Sequence, residues 1–205
     1  MIYKKSWKYI LIRDNSDYCR DLNVLRLKAL KNFSNITKGD FGGYIDGYYN
    51  LSQFGNCWVY DNAMIYGYAF VSGNACILGN AEVHGNSSVF GNSIISENAN
   101  IFNDAIICGN AQISGESIIS GQVYIKDNVR IFDSAIVTEN ARISGNAQIF
   151  GHAQVFGNVH VSENAKIKDN AEAYGNARIS GKTKVCGNAI VTDDMVVKGK
   201  TYISH

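Results

Sequence analysis

The chain contains no proline among its 205 residues, and its charges nearly cancel, at a formal net charge of +1. Proline cannot donate a ladder hydrogen bond, so its absence is expected where almost every residue lies in a sheet. A balanced charge gives no bulk attraction to nucleic acid, so we do not expect a nucleic-acid partner. No apolar run is long enough to cross a bilayer, and no basic start precedes an apolar signal core. We therefore expect a cytoplasmic protein without a membrane partner.

The five cysteines are odd in number and form no Cys-x-x-Cys pair. A reducing compartment keeps such scattered thiols free. The histidines stand far apart in the repeat described below, whereas a zinc site needs several converging nitrogen or sulfur ligands. We therefore predict free thiols, no metal and no cofactor.

From Gly55 to Ser204 the chain repeats every six residues, in 25 hexads without an insertion or a deletion. The fifth position is Ile or Val throughout, except at Ala173, and the third position is small in most hexads. The first two positions are mostly Gly, Asp or Glu followed by Asn. Such a fixed short period indicates a solenoid. Because β-branched residues favour extended backbone and Gly-Asn pairs favour tight corners, each hexad predicts one short strand and one corner.

Two inward residues per hexad, one large and one small, suit a narrow triangular coil with three hexads per turn. Residue n then stacks on residue n+18 at the strand spacing of roughly 4.8 Å. The pattern resembles the hexapeptide signature of single-stranded left-handed parallel β-helices, the fold of hexapeptide acyltransferases. Right-handed crossovers are the general rule, so a right-handed helix of the bactofilin type is the competing interpretation. We predict an all-β, left-handed parallel β-helix over residues 55–205.

Residues 1–54 lie outside the hexad register, and we predict that they form a β capping segment. Residues 7–12 are typical of a strand, and residues 24–30 alternate apolar with basic side chains. The open end of a β-helix exposes unpaired N–H and C=O groups that another chain could pair with. A cap on that end is the simplest role of this segment, and it could cover the first two turns.

Three motifs around the start of the repeat carry a family resemblance. They are Lys38-Gly39-Asp40-Phe41-Gly42-Gly43-Tyr44, Asn50-Leu51-Ser52 and Gly55-Asn56-Cys57-Trp58-Val59-Tyr60. With them, essentially the whole chain resembles the YdcK-type β-helix proteins. The resemblance implies a left-handed β-helix, frequent occurrence in phages and prophages, and a transferase label that rests on the repeats alone. The family has no agreed catalytic residues, so the resemblance implies none here.

The uninterrupted repeat leaves little room for an active site. Hexapeptide acyltransferases typically carry a catalytic His on a projecting loop, and this chain has no such loop between residues 55 and 204. Glu82 and His84 alternate on one predicted strand and are the nearest approach to an acid–base pair. His160 points outward on a different face. An acyltransferase stays an alternative, but the sequence favours binding over catalysis and assigns no catalytic residue.

The outward fourth position is often apolar in the early hexads and becomes polar in the later ones. Residues eighteen apart form columns, and two columns gather positive charge beside aromatic rings. The candidate ligand-binding residues are Tyr124, Arg142, His160 and Arg178 in one column and Arg130, Lys166 and Lys184 in the other. Aligned cations beside aromatic rings suit a planar anion such as a nucleotide. The alternative is that these cations only keep the surface solvated.

Solvent-facing strands do not need isoleucine, so the apolar fourth positions predict a covered surface. Beyond the cap, a second subunit is the better cover, and side-by-side trimers are what hexapeptide helices resemble. We predict a homo-oligomer, with a trimer preferred. The candidate interface residues are Ile94, Ile106, Ile118 and Ile136.

Together these observations predict a non-catalytic β-helix protein of phage or prophage type. Its predicted role is to sequester a small anionic ligand or to engage a host component. Two alternatives stay open, a structural scaffold or bactofilin-like polymer, and a hexapeptide-type acyltransferase. The lysines around the last turn argue against a polymer, because charge blunts an open strand edge.

Overall fold

The computed structural model describes residues 7–13 and 23–205. Three strands come before the repeat: β1 (Tyr9–Ile12), β2 (Leu25–Ala29) and β3 (Phe41–Ile45). Strand β1 pairs with β2, and β2 with β3, both antiparallel. The described residues contain no helix, and so none that is long and apolar enough to cross a membrane.

The hexads form strands β4 to β28, one strand per hexad, and these build three faces. The first face is a nine-stranded sheet of β4 (Trp58–Val59), β7 (Cys76–Ile77), β10 (Ile94–Ile95), β13 (Gln112–Ile113), β16 (Arg130–Ile131), β19 (Gln148–Ile149), β22 (Lys166–Ile167), β25 (Lys184–Cys186) and β28 (Tyr202–Ser204). The second face consists of β5 (Met64–Ile65), β8 (Glu82–Val83), β11 (Asn100–Phe102), β14 (Ile118–Ser120), β17 (Ile136–Val137), β20 (Gln154–Val155), β23 (Glu172–Ala173) and β26 (Ile190–Val191). The third face is an eight-stranded sheet of β6 (Phe70–Val71), β9 (Ser88–Val89), β12 (Ile106–Ile107), β15 (Tyr124–Ile125), β18 (Arg142–Ile143), β21 (His160–Val161), β24 (Arg178–Ile179) and β27 (Val196–Val197).

Every strand of the coil pairs in parallel with the strand of the same face one turn away. Residue n lies beside residue n+18, as in the pairs Ile118 with Ile136 and Tyr124 with Arg142. The cap joins this arrangement because β3 pairs in parallel with β5 and extends the second face to eleven strands. The predicted parallel β-helix with an N-terminal β cap is therefore confirmed.

The core of the coil consists of the third and fifth positions of the hexads. Ala141 and Ile143, for example, flank Arg142 on the same strand, and both are completely buried. The same alternation continues along the coil, so each turn stacks three aliphatic side chains on those of the next turn. Each buried Ile or Val stabilises the fold by about 1.5–3 kcal/mol before conformational entropy is counted.

The corners depend on a left-handed backbone conformation at the first position of each hexad. All 25 first positions have positive φ, sixteen of them glycine and nine of them Asp, Glu or Asn. Several non-glycine corners gain a compensating contact; the carboxylate of Asp133, for example, accepts a hydrogen bond from the Gly151 amide one turn on, at 3.0 Å. At the next position, asparagines one turn apart bond to each other, as Asn110 does to Asn128 at 2.9 Å.

The cap covers the outward side chains at the beginning of the coil on two of its three faces. The Trp58 ring is fully buried, at 5.3 Å from the Phe33 ring and 6.2 Å from the Tyr9 ring. Strand β3 approaches so closely that a Cβ on Gly43 would lie 2.4 Å from the carbonyl oxygen of Ala63. On the third face Phe70 stays 42% exposed, so the cover stops there.

A buried lysine lies between the cap and the first turn. The Lys8 ammonium donates to the carbonyl oxygen of Cys57 at 2.8 Å and to its Sγ at 3.2 Å, and it lies 5.3 Å from the centre of the Phe33 ring. No carboxylate of the described residues forms an ion pair with it. Burial therefore lowers the pKa of Lys8 and raises the pKa of Cys57.

Four cysteines lie within the described residues, and all four are free thiols, while Cys19 lies outside them. Two of the four, Cys108 and Cys186, occupy outward positions and yet are buried. In the case of Cys108 the reason is Tyr124, whose hydroxyl lies 3.8 Å from the sulfur.

Candidate anion-binding site

The first predicted column lies on the third face, where β15, β18, β21 and β24 present their fourth-position side chains in consecutive turns. Tyr124 pairs with Arg142, Arg142 with His160, and His160 with Arg178. Neighbouring members are therefore separated by one strand spacing, roughly 4.8 Å. We call these four residues the third-face column.

A shallow groove runs beside this column. Its volume is about 230 Å³, and its polar lining is Tyr124, Lys126, Arg142, Ser144, His160 and Ser162. Lys126, Ser144 and Ser162 come from the sixth position of the same hexads, so they form a second row parallel to the first. The pattern of fourth positions does not reveal this second row, although the sixth-position residues repeat at the same eighteen-residue spacing.

The cations of the groove are not neutralised by the protein. Among the described residues the one salt bridge joins Lys168 to Asp169, away from the third-face column. Two acids directly follow residues of the groove. Asp127 directs its carboxylate to the Gly145 amide at 3.0 Å, and Glu163, next to Ser162, forms no salt bridge with a described residue. Arg142 and Arg178 are exposed on either side of His160 without a carboxylate partner.

The pKa of His160 reflects the positive charge of the third-face column. Partial burial lowers its pKa, and the charges of Arg178 and Arg142 lower it further. The imidazole is therefore mainly neutral at neutral pH, because a third positive charge between two guanidinium groups is unfavourable. A bound anion would reverse this effect and favour the protonated ring.

Tyr124 closes the groove at the end nearer the cap. Its hydroxyl accepts a hydrogen bond from the Cys108 thiol, and this contact raises the pKa of Tyr124. The ring therefore leans back over the preceding turn and remains partly exposed. It offers an aromatic surface directly beside Arg142.

The second predicted column lies on the first face and is a weaker anion site. Arg130, Lys166 and Lys184 share this face, with Gln148 between the first two. The Arg130 guanidinium lies 5.7 Å from the centre of the Phe132 ring, as a cation–π contact. The groove beside Arg130 also contains Glu97 and Asp133, whose carboxylates would repel an anion. A separate pocket of about 330 Å³ lies at Lys184, in the last turns of the coil. The two predicted columns therefore do not form one site.

The candidate interface isoleucines fall on three different faces. Ile94 belongs to the first face, Ile106 to the third, and Ile118 and Ile136 pair with each other on the second. Ile94, Ile106 and Ile118 are 36–39% exposed. One flat contact can therefore bury Ile118 and Ile136 together, but not all four.

The Glu82 and His84 side chains are each engaged by neighbouring turns. Glu82 accepts a hydrogen bond from the Tyr66 hydroxyl at 2.8 Å, and His84 bonds to Asn100 at 3.0 Å. The imidazole is also stacked between the Tyr66 and Phe102 rings, at centroid distances of 4.7 and 5.1 Å. Packing against side chains of the neighbouring turns is therefore sufficient to account for both Glu82 and His84.

Comparison with known proteins adds a structural likeness. No family model matches the chain, and no curated protein matches it. Among solved structures it is similar to a UDP-N-acetylglucosamine acyltransferase from Campylobacter jejuni, at 16% sequence identity and a TM-score of 0.38. The alignment covers 75% of this chain and 69% of that one. At this distance the likeness assigns neither an activity nor a substrate.

Proposed function

We propose that this protein binds and sequesters a small anionic ligand in the groove beside the third-face column, without catalysing a reaction on it. The observation that carries the proposal is the run of Arg142, His160 and Arg178 in consecutive turns, which has no carboxylate partner among the described residues. An anion in the groove would relieve the mutual repulsion of these groups. It would also accept charge-assisted hydrogen bonds from both guanidinium groups.

Two features support binding rather than catalysis. The side chains that line the groove include no carboxylate, and the one group able to act as a general base, the neutral His160 imidazole, has no carboxylate partner among the described residues to orient it. The hexads that build it are uninterrupted, so no loop projects from the coil to cover a reacting group. A site that holds an anion on rigid strands is suited to retention of the ligand.

Calorimetric titration with tripolyphosphate and with ATP tests the proposal. Charge reversal at the two arginines (Arg142→Glu with Arg178→Glu) is expected to weaken binding of both probes at least tenfold. The matched control reverses two cations of the first face (Arg130→Glu with Lys184→Glu) and should leave the affinity within about twofold. Unchanged binding in the third-face variant, with a normal melting temperature, would refute the proposal.

The biological setting follows from the resemblance to YdcK-type proteins. We place the protein in the cytoplasm of a bacterium that carries a phage or prophage, where the ligand would be a host metabolite or an acidic host component. Native mass spectrometry before and after exposure to host lysate distinguishes the two. An added mass below a kilodalton per site indicates a metabolite, a larger one a protein, and no adduct contradicts both.

We also propose that the protein is a homo-oligomer, with a trimer preferred, and that its contact includes Ile118 and Ile136. These two isoleucines are adjacent on the second face and form its most apolar outward part. Light scattering should show a smaller assembly for Ile136→Lys, and no change for Ile94→Lys on the first face. A monomeric wild-type protein would contradict this proposal and leave the anion site unaffected.

A further inference from the structure

On the third face an apolar stretch of Ile106 and Tyr124 is followed directly by a cationic stretch. The fourth positions of this face are, in order away from the cap, Phe70, Ser88, Ile106, Tyr124, Arg142, His160, Arg178 and the apolar Val196. No other face shows so sharp a boundary, since the second is interrupted by acids and the first alternates Gln with cations. The anion groove lies directly across this boundary.

From this arrangement we propose that the ligand is a nucleoside polyphosphate or a close chemical analogue, bound with its long axis parallel to the coil. Its planar ring lies on Ile106 and Tyr124, and its anionic groups lie over Arg142, His160 and Arg178. This inference rests on the function proposed above and specifies the ligand class for the same site.

Beyond the groove, toward the cap, the third face continues with apolar side chains that suit a ring. Phe90 and Ile106 are each 39% exposed, far more than the outward Trp58 and Met64 beneath the cap. Ile106 pairs with Tyr124, which lines the groove, and Phe90 follows the third-face strand one turn nearer the cap. The third face therefore presents exposed apolar side chains directly before the first cation. An inorganic anion would have no use for them.

The length of the cationic end matches a chain of phosphates. Arg142 and Arg178 are separated by two strand spacings, roughly 10 Å along the coil. A single tetrahedral anion would contact both guanidinium groups only if both side chains folded inward over His160, whereas a chain of two or three phosphates contacts both as they extend from their strands. The hydroxyls of Ser144 and Ser162 line the same stretch and can donate to the oxygens between them.

The decisive experiment compares ATP, tripolyphosphate and adenosine by calorimetric titration of the full-length protein. We expect ATP to bind at least about fivefold more tightly than tripolyphosphate, because stacking of one base on apolar and aromatic side chains supplies such a factor. Adenosine alone should bind weakly. The variant Ile106→Ser should lose the ATP advantage while tripolyphosphate binds as before, and Tyr124→Leu should weaken the binding of ATP more than that of tripolyphosphate.

The first-face variant Ile94→Ser is the matched control, since Ile94 has the same exposure as Ile106 and the same hexad position. Melting temperatures establish that each variant is folded. If ATP and tripolyphosphate bind equally, and Ile106→Ser changes neither, the ligand-class inference is wrong although the anion site stands. If neither probe binds, both the inference and the proposed function are wrong.

Discussion

Trp58 and Lys184 occupy the same hexad position on the same face, seven turns apart, and their surroundings differ completely. Trp58 is fully buried under the cap, whereas Lys184 is exposed beside Lys182 and Lys200. Their backbone hydrogen bonds are equivalent. The Trp58 amide donates to the Ala75 carbonyl oxygen of the next turn at 3.1 Å, and the Lys184 amide donates to that of Thr201 at 2.8 Å.

This contrast separates two roles of the repeat. The third and fifth positions specify the coil, and they hardly vary between the covered and bare ends. The fourth and sixth positions point outward and do not have to fit the core. Their side chains are therefore suited to their surroundings, which are the cap at one end of the coil and solvent or a ligand at the other. Outward side chains therefore carry the functional information in this fold.

The largest effect should come from removing the covered tryptophan. Trp58→Ala is expected to lower the free energy of unfolding by about 3–5 kcal/mol, because it leaves a cavity between the cap and the coil. Lys184→Ala, at the equivalent bare position, should change it by less than about 0.5 kcal/mol. Urea denaturation of both variants measures the difference. Equal losses would show that the cap is not packed on the first face as described.

The second test concerns the buried amine of the covered end. Because the pKa of Lys8 lies below its usual value of 10.5 in the folded protein, a pH range exists in which only the unfolded chain holds this proton. Stability then rises with pH in that range, by up to about 1.4 kcal/mol per unit. Lys8→Met should abolish this rise, relative to wild type, in urea denaturation measured as the pH approaches 10.5. Lys184→Met is the exposed control. Parallel curves for wild type and Lys8→Met would contradict the assignment.

At the bare end, pH should act on binding instead of on stability. An anion beside His160 raises the pKa that its surroundings have lowered, so binding takes up a proton and strengthens as the pH falls. We expect up to about tenfold tighter ATP binding at pH 5.5 than at pH 8, by calorimetry. His160→Gln should remove the part of this dependence that exceeds the titration of ATP itself. An identical pH profile in the variant would exclude contact between His160 and the ligand.

The smallest expected difference lies in the corners, where the two ends should agree. Asp61 near the cap and Asp133, four turns further along the coil, both accept a hydrogen bond from a glycine amide of the next turn, at 3.0 Å. Asp61→Ala and Asp133→Ala should each cost about 1 kcal/mol, mainly through this bond. Glu163→Ala, at a corner of the same φ, is the comparison for the loss of a side chain alone. A clear difference in melting temperature between Asp61→Ala and Asp133→Ala would show that the cap also affects the stability of the corners beneath it.

Most of the coil could be predicted because its determinants are local. A β-branched fifth residue, a small third residue and a corner residue with positive φ lie within one hexad, and eighteen-residue stacking follows from three hexads per turn. The third-face column could be predicted for the same reason, since its four members share one position and one spacing.

The remaining features depend on contacts that no short spacing reveals. Nothing in the sequence around Lys8 indicates that it donates to Cys57, because the leader has no repeat to fix its register. The burial of Cys108 follows from a tyrosine sixteen residues later, an offset that becomes visible only once a side chain leans across turns. The isoleucines chosen as one interface were grouped by their place along the chain, and the three-fold alternation of faces distributes them around the coil.

The eighteen-residue register also has a consequence for how such a chain can change in evolution. Duplication or loss of one whole turn would shift every later side chain by one turn along the coil, and each side chain would stay on the same face. Gain or loss of a single hexad would preserve the core equally well, yet it would rotate everything beyond it by one face. Arg142 would then no longer stand below Tyr124, and the groove would be dismantled in a protein that still folds. Eighteen codons, rather than six, are therefore the smallest unit by which this gene can lengthen or shorten above the groove without erasing it.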